Sequence, residues 1–279
     1  MTLSSARELV SAAMATGRAV PAFNVLSLDQ AEAIIAGAER AGVGVLLQVS
    51  ENAVRFHGRM EPLLAACHEL AASAAVSIGI HLDHFEDGQL IEIGLTVGSR
   101  FGVRSIMVDA STREYSANLA FTASIAARAH ELGWWVEAEL GAIGGKDGAH
   151  APGVRTDPTE ASAFVTATGV DGLAVAVGSS HAMTERTAAL DLDLIRALAA
   201  ALAVPLVLHG SSGVADAELE RAIAAGIRKV NIGTALNVAA TAALRSELAR
   251  LPEVVDPRRF TALGSAETSA LVAHLCAVL

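Results

Sequence analysis

VSIGIHLDH (residues 76–84) is apolar through most of its length and turns charged only at its end, and PLVLHGS (205–211) repeats that design. Apolar runs of this kind suit strands buried on both faces, as in parallel sheets. Working outward, six further stretches read the same way: 19–25, 43–50, 105–111, 134–141, 172–179 and 228–234. Each strand is followed by a segment of helical spacing, at 28–41, 61–74, 87–97, 117–132, 157–168, 191–203, 215–225 and 235–249. Ser27 with Gln30 suits a capping box, and Asp157–Pro158 with Glu160 supplies a cap, a first-turn proline and an acid. Eight β-then-α units in about 250 residues predict an α/β fold, a (β/α)8 TIM-type barrel, over an open doubly wound sheet. The open sheet is further disfavoured because no GxGxxG follows the first strand. No linker divides the chain, so 1–279 reads as one domain, with a turn at Asp256–Pro257 and one extra C-terminal helix.

Composition narrows the function. The 279 residues carry 30 acids against 20 Lys and Arg, a net charge of −10, which disfavours nucleic acid as a partner. Hydrophobic residues make up 52%, enough for a large core, yet no unbroken apolar run of about 20 residues suggests a membrane span. Met1 to Arg18 holds Arg7 and Glu8 inside its helical pattern and lacks the continuous apolar region of a signal peptide. Cys67 and Cys276 are the only cysteines, so no disulfide framework is expected and a cytoplasmic location is.

The polar residues fall at the C-terminal ends of the strands: Asn24, Ser50, Asp83 with His84, Asp109, Glu137 and Glu139, Ser179 then His181, His209 with Ser211 and Ser212, and Asn231 with Thr234. A closed barrel gathers those ends on one rim, where such enzymes keep their active sites. The cluster reads as a metal site. His84, His181 and His209 each follow a strand, and three imidazoles leave zinc open positions for substrate. The other histidines have ordinary readings: His68, His130 and His274 on helices, His57 and His150 in loops, His81 as a hydrogen-bonded core residue. Glu137 and Glu139 share a strand face by the period of two and point into the barrel together. After strands seven and eight, Gly210-Ser211-Ser212-Gly213 and Asn231 to Thr234 are small residues just before helices, where barrels often hold phosphate.

With those residues in order, the chain resembles the class II, metal-dependent ketose-bisphosphate aldolases, the fructose- and tagatose-bisphosphate enzymes, over nearly its whole length. The matching stretches are PAFNV (21–25), LLQVSE (46–51), HLDH (81–84), SIMVDAS (105–111), VEAELGAIGG (136–145), LAVAVGSSH (173–181), PLVLHGSSG (205–213) and KVNIGT (229–234). The resemblance implies a zinc-dependent carbon–carbon lyase of carbohydrate metabolism, of the kind used in glycolysis. It would cleave a ketose (bis)phosphate, such as fructose or tagatose 1,6-bisphosphate, into dihydroxyacetone phosphate and glyceraldehyde 3-phosphate. It implies His84, His181 and His209 as zinc ligands, with Asp109 and Glu139 as acids beside the metal. Asp83 would be the acid/base for the hydroxyl proton, and Asp147 the nearest match to the loop acid that handles the carbon-bound proton. Asn24, Ser50, Gly178, Ser179, Gly210, Ser211, Ser212, Asn231, Gly233 and Thr234 would bind substrate, with a monovalent Na+ or K+ near Gly178 and Ser179. A homodimer or homotetramer is the family precedent.

The sequence also departs from the family pattern. Ser211 replaces the second glycine of HGGSG, Lys146-Asp147 stands where an acidic pair is usual, and Gly233 stands where fructose-type members often carry Asp. Residues 263–274 hold no Lys or Arg for a second phosphate. Arg55, Arg155, Arg186 and Arg258 are the candidates to replace it, though each reads first as a solvated surface charge. Two alternatives therefore stand beside the leading reading: a related aldolase with another aldehyde partner, and a non-catalytic barrel that binds metal or sugar phosphate.

Overall fold

Each apolar run forms a strand and each helical segment a helix. The computed structural model describes residues 3–140, 154–181 and 183–279. Its strands are β1 (Val20–Asn24), β2 (Val45–Ser50), β3 (Ile78–Phe85), β4 (Val103–Val108), β5 (Trp135–Leu140), β6 (Gly172–Val175), β7 (Leu206–Leu208) and β8 (Ile227–Ile232). All neighbours are parallel, and β8 pairs back onto β1, which closes the barrel in sequence order. Around it run α1 (Ala6–Ala15), α2 (Leu28–Ala41), α3 (Glu51–His57), α4 (Glu61–Ser73), α5 (Gly88–Val97), α6 (Tyr115–Glu131), α7 (Pro158–Thr168), α8 (Leu192–Ala201), α9 (Asp216–Ala225), α10 (Thr234–Arg250) and α11 (Pro257–Val278). The extra C-terminal helix, α11, packs across α2 and α10. No helix among the described residues is long and apolar enough to cross a membrane.

Several local expectations need correcting. β6 and β7 end earlier than the sequence suggests, at Val175 and Leu208, because the chain turns through Gly178 (φ +118°) and Gly210 (φ +65°) just beyond them. Helix α3, absent from the sequence reading, starts directly after β2, where the Ser50 hydroxyl accepts from Ala53 N. His57 is therefore the last residue of a helix rather than part of a loop. Ser27 makes no capping hydrogen bond; Gln30 reaches back instead, its Oε1 accepting from Leu26 N at 2.8 Å. At α7 the cap forms as expected, Asp157 accepting from Thr159 N and Glu160 N with Pro158 in the first turn.

Two cores result. The outward strand faces and the helices share one large aliphatic cluster. Inside the barrel a smaller cluster joins Val20, Ala22, Leu46, Trp135, Ala174 and Val207 to Ala6, Leu9 and Val10 of α1, which seals the N-terminal end. Glycine makes this filling possible. A Cβ on Gly79 would lie 2.5 Å from Leu46 Cδ2, and one on Gly172 would lie 2.5 Å from Trp135 Cζ2. By the strand period of two, the same inward face continues upward to Asn24, Gln48 and Ser50, His81 and Asp83, Glu137 and Glu139, His209, and Lys229 and Asn231. The interior thus changes from aliphatic to polar along the barrel axis.

Candidate metal centre and active-site cavity

Ligating atoms of His84, Glu139, His181 and His209 all lie within 4.8 Å of one another at the C-terminal rim. The three imidazoles stand edge to face, with ring centroids 4.6 Å (His84–His209), 5.2 Å (His84–His181) and 5.8 Å (His181–His209) apart. Asp83 and His84 are adjacent on β3 and would face opposite sides of a regular strand. His84 instead adopts φ +51°, and the β3–β4 register shifts between Leu82 and Phe85, so that both side chains reach the site. A non-glycine residue in that region costs about 1–3 kcal/mol and persists where its surroundings impose it. Here Asp109 helps impose it, its Oδ2 2.8 Å from His84 Nδ1 while Oδ1 accepts from Ser111 N and Oγ.

His209 is fully buried. Its Nε2 lies 2.8 Å from Glu137 Oε1, and the other Glu137 oxygen is 2.8 Å from Lys229 Nζ. Its Nδ1 is buried without a hydrogen bond, 3.5 Å from Glu139 Oε2. A buried ring nitrogen aimed at a carboxylate oxygen and two further imidazoles, with its opposite nitrogen fixed by a carboxylate, is what a metal-ligating histidine requires. Burial, and then the neighbouring His84 ring and the Lys229 side chain, push the His209 pKa well below its ordinary value of 6.5, which favours the neutral ring that a ligand requires. The donor set, three imidazoles and a carboxylate, fits zinc.

Asp83 sits beside this cluster with both oxygens held, Oδ2 by Asn24 Nδ2 at 2.7 Å and Oδ1 by Asn231 Nδ2 at 3.2 Å. Burial alone would raise its pKa. The His84 ring, the Lys229 charge and the Asn24 hydrogen bond outweigh that and hold it below the usual carboxylate value, so it is ionised at neutral pH. Lys229 Nζ also donates to Asn231 Oδ1 at 2.7 Å, so one buried ammonium supports both the Glu137–His209 pair and the Asn231–Asp83 pair. Lys229 was not among the residues the sequence singled out. It lies two residues before Asn231 on the inward face, which is the signal that could have found it.

A cavity of about 320 Å³ opens above these groups. Of the residues expected to bind substrate, Asn24, Ser50, Gly210, Ser211, Ser212, Asn231, Gly233 and Thr234 line it, together with Asp83, His84 and His181. Gly178 and Ser179 do not. The Ser179 hydroxyl donates to the His209 carbonyl at 2.6 Å, and a Cβ on Gly178 would meet the Ala189 carbonyl oxygen at 2.5 Å, so both brace the rim from behind. The loop after β7 packs tightly, since a Cβ on Gly210 would lie 2.5 Å from the Ser180 carbonyl oxygen. Ser211 donates to the Asn231 carbonyl and Ser212 accepts from Ala235 N, which ties the loops after β7 and β8 together. Asp147 lies outside the described residues. Glu51, Asn52 and Glu86 also line the cavity and were not anticipated, because they stand just past the strand ends whose polar residues drew attention.

A family model described as fructose-bisphosphate aldolase class-II matches residues 4–279. Among solved structures, the YdjI aldolase of Escherichia coli K12 is 28% identical, with 99% of this chain and 96% of that one covered and a TM-score of 0.83. A protein of Coccidioides immitis, provisionally assigned as a fructose-1,6-bisphosphate aldolase, is also 28% identical, covering 98% and 95% at a TM-score of 0.88. Fructose-bisphosphate aldolase of Campylobacter jejuni, 20% identical, shares the fold at a TM-score of 0.83, with 99% and 95% covered.

Proposed function

Because the chain belongs to the class II fructose-bisphosphate aldolase family, an assignment that makes it a metal-dependent lyase, we propose that it is a zinc enzyme that reversibly splits a ketose phosphate into dihydroxyacetone phosphate and an aldehyde. The observation that carries this reading is the convergence of four ligating groups, His84, Glu139, His181 and His209, on the wall that also holds an ionised Asp83 between two asparagines.

Zinc held by those residues would supply Lewis-acid stabilisation of the negative charge that develops on the ketose oxygens, an effect of several kcal/mol. The remaining work belongs to the chain. Asp83, as a carboxylate, accepts the proton of the C4 hydroxyl, and the O–H electrons become the new aldehyde C=O bond. The C3–C4 bond breaks, and its electron pair stays on the dihydroxyacetone phosphate half as an enediolate. A proton delivered to C3 completes that product, and Asp147 is the nearest sequence match for the group that delivers it. Asn24 and Asn231 hold Asp83 with both oxygens hydrogen-bonded, so its basic form is fixed in place before substrate arrives. The small loops Gly210–Gly213 and Gly233–Thr234 offer the surface against which the substrate phosphate rests.

The test is a chelation and replacement series joined to Asp83→Asn. Complete chelation is expected to abolish cleavage and zinc to restore it. Asp83→Asn should retain zinc while cleavage falls by about 10²–10⁴-fold. Full activity after chelation would remove the zinc role, and unchanged cleavage by a zinc-loaded Asp83→Asn would remove the acid/base role.

A further inference from the structure

Past Asp83 the cavity extends toward β1, β2 and α3, and the Gly233–Thr234 turn borders it there as well. Resting on the aldolase reading above, the geometry points to an aldehyde half that carries no phosphate, so that the substrates are ketose 1-phosphates with an uncharged, hydroxylated tail rather than bisphosphates.

A phosphate dianion needs arginine or lysine, or several uncommitted backbone N–H groups. At this end Arg55 and the N–H groups at the start of α5 are committed to side chains of the chain itself. Glu51 lines the cavity, and its Oε2 accepts from Glu86 N and Asp87 N at 2.8 and 2.9 Å. The first turn of α5 is filled by Asp87, whose Oδ1 accepts from Gln89 N and Leu90 N, and that of α3 by the Ser50 hydroxyl on Ala53 N. Arg55, the nearest cation in sequence, donates to Glu51 Oε1 and to Asp87 Oδ2, so its charge is neutralised within the loop. Arg186 and Arg258 are paired with Asp216 and Asp256, and Arg155 stands across the barrel beside Gly178. Among the described residues that line the cavity none is Lys or Arg, while Glu51 and Glu86 both face it.

What the chain offers there instead is neutral. A second lobe of about 310 Å³ adjoins the metal cavity, sharing Asn24, Ser50, Asn52, Gly233 and Thr234 with it. It continues over Gln30 and Asn237, joined by a hydrogen bond of 3.2 Å, to the exposed ring of Phe56. Amides and hydroxyls both donate and accept, which matches the hydroxyl groups of a sugar chain. An aromatic face at the rim suits the C–H face of the same chain.

The experiment uses the zinc-loaded full-length chain and separates the two halves of the reaction. Exchange of the C3 proton of dihydroxyacetone phosphate with solvent deuterium, followed by NMR, reports the first half without any aldehyde. Condensation with glycolaldehyde, the two glyceraldehydes and erythrose is then compared with condensation with glyceraldehyde 3-phosphate, and cleavage of fructose and tagatose 1-phosphates with that of their 1,6-bisphosphates. The expected result is exchange, with kcat/KM at least about tenfold higher for the phosphate-free partners. Asn52→Lys should shift that ratio by about tenfold toward the phosphorylated partner, because it places a cation in the lobe. If exchange runs but the phosphorylated partners react as well or better, or no aldehyde condenses, the inference falls and the aldolase reading stands. An Asn52→Lys variant with an unshifted ratio also overturns the inference. Absence of exchange overturns both together.

Discussion

Leu46, Trp135 and Val207 fill the barrel above α1, and two residues further along the same three strands stand Gln48, Glu137 and His209. One backbone geometry therefore carries two unlike interiors. The lower one is shape-filling: glycines at 79 and 172 leave room for Leu46 and Trp135, and nothing there depends on a proton or a charge. The upper one is built of polar pairings, and it leaves both amide atoms of Gln48, His81 Nε2 and His209 Nδ1 buried without a hydrogen bond. A buried polar atom left unsatisfied costs about 1–3 kcal/mol, so the upper tier is maintained at the expense of stability. The contrast separates what holds the barrel shut from what the barrel is for.

Lys229 is the sharpest place to break that contrast, since it is fully buried and joins Glu137 to Asn231. Lys229→Met leaves the Glu137 carboxylate without its cation, and removing one partner of a buried pair costs about 3–5 kcal/mol. The slackened Glu137–His209 contact should also weaken zinc binding by about 10–100-fold, as for other supports of ligating histidines. Adding Glu137→Gln removes the stranded charge, so most of the stability should return while zinc affinity stays low. Urea unfolding of the metal-free protein and competitive zinc titration measure the two effects separately. A double variant that recovers both would show that Lys229 serves packing alone.

Trp135→Ala is the counterpart in the lower tier. Its ring is buried within the α1 cluster, and truncating a buried tryptophan costs about 3–5 kcal/mol. Zinc affinity and kcat/KM, measured well below the melting temperature, should stay within about threefold of the parent, because no ligating atom moves with it. Loss of zinc from a folded Trp135→Ala protein would mean that the two tiers are one mechanical unit.

Much of this division was legible in the sequence because period two and the polar strand ends are local signals. Glu137 and Glu139 could be assigned to one inward face before any coordinates, and both are fully buried there. Other features depend on contacts that local pattern does not encode. Ser27 and Gln30 have the spacing of a capping box, yet Gln30 bonds to Leu26 N and Ser27 caps nothing, whereas Asp157 with the same kind of signal does cap α7. Helix α3 has seven residues, too few for a 3.6-residue period to declare itself. The inward turn of His84 arises from the register shift between β3 and β4, which no reading of β3 alone contains. The period of two puts Lys229 on the inward face with Asn231, but only the closure of the barrel brings it to Glu137.

Acid should distinguish the tiers without any mutation. His81 is buried in the upper tier, with Nδ1 2.9 Å from Ser105 Oγ, and burial followed by the Lys229 charge pushes its pKa well below 6.5. His209 behaves alike in the metal-free protein. Below about pH 6.5 the unfolded chain takes up protons on these rings that the folded chain refuses, so stability must fall as pH falls. Each ring adds up to about 1.4 kcal/mol per pH unit to that slope, until its own folded pKa is reached. The lowered pKa of Asp83 acts at more acidic values, contributing stability above 3.8 that is lost as pH drops through its folded pKa. Urea unfolding of metal-free protein between pH 7.5 and 5.5 should show the loss, and His81→Asn should remove one ring's share of the slope. The aliphatic tier has no proton to exchange, so a parent slope of zero across that range would mean that the buried rings accept charge, and that the upper tier is wetter than its packing indicates.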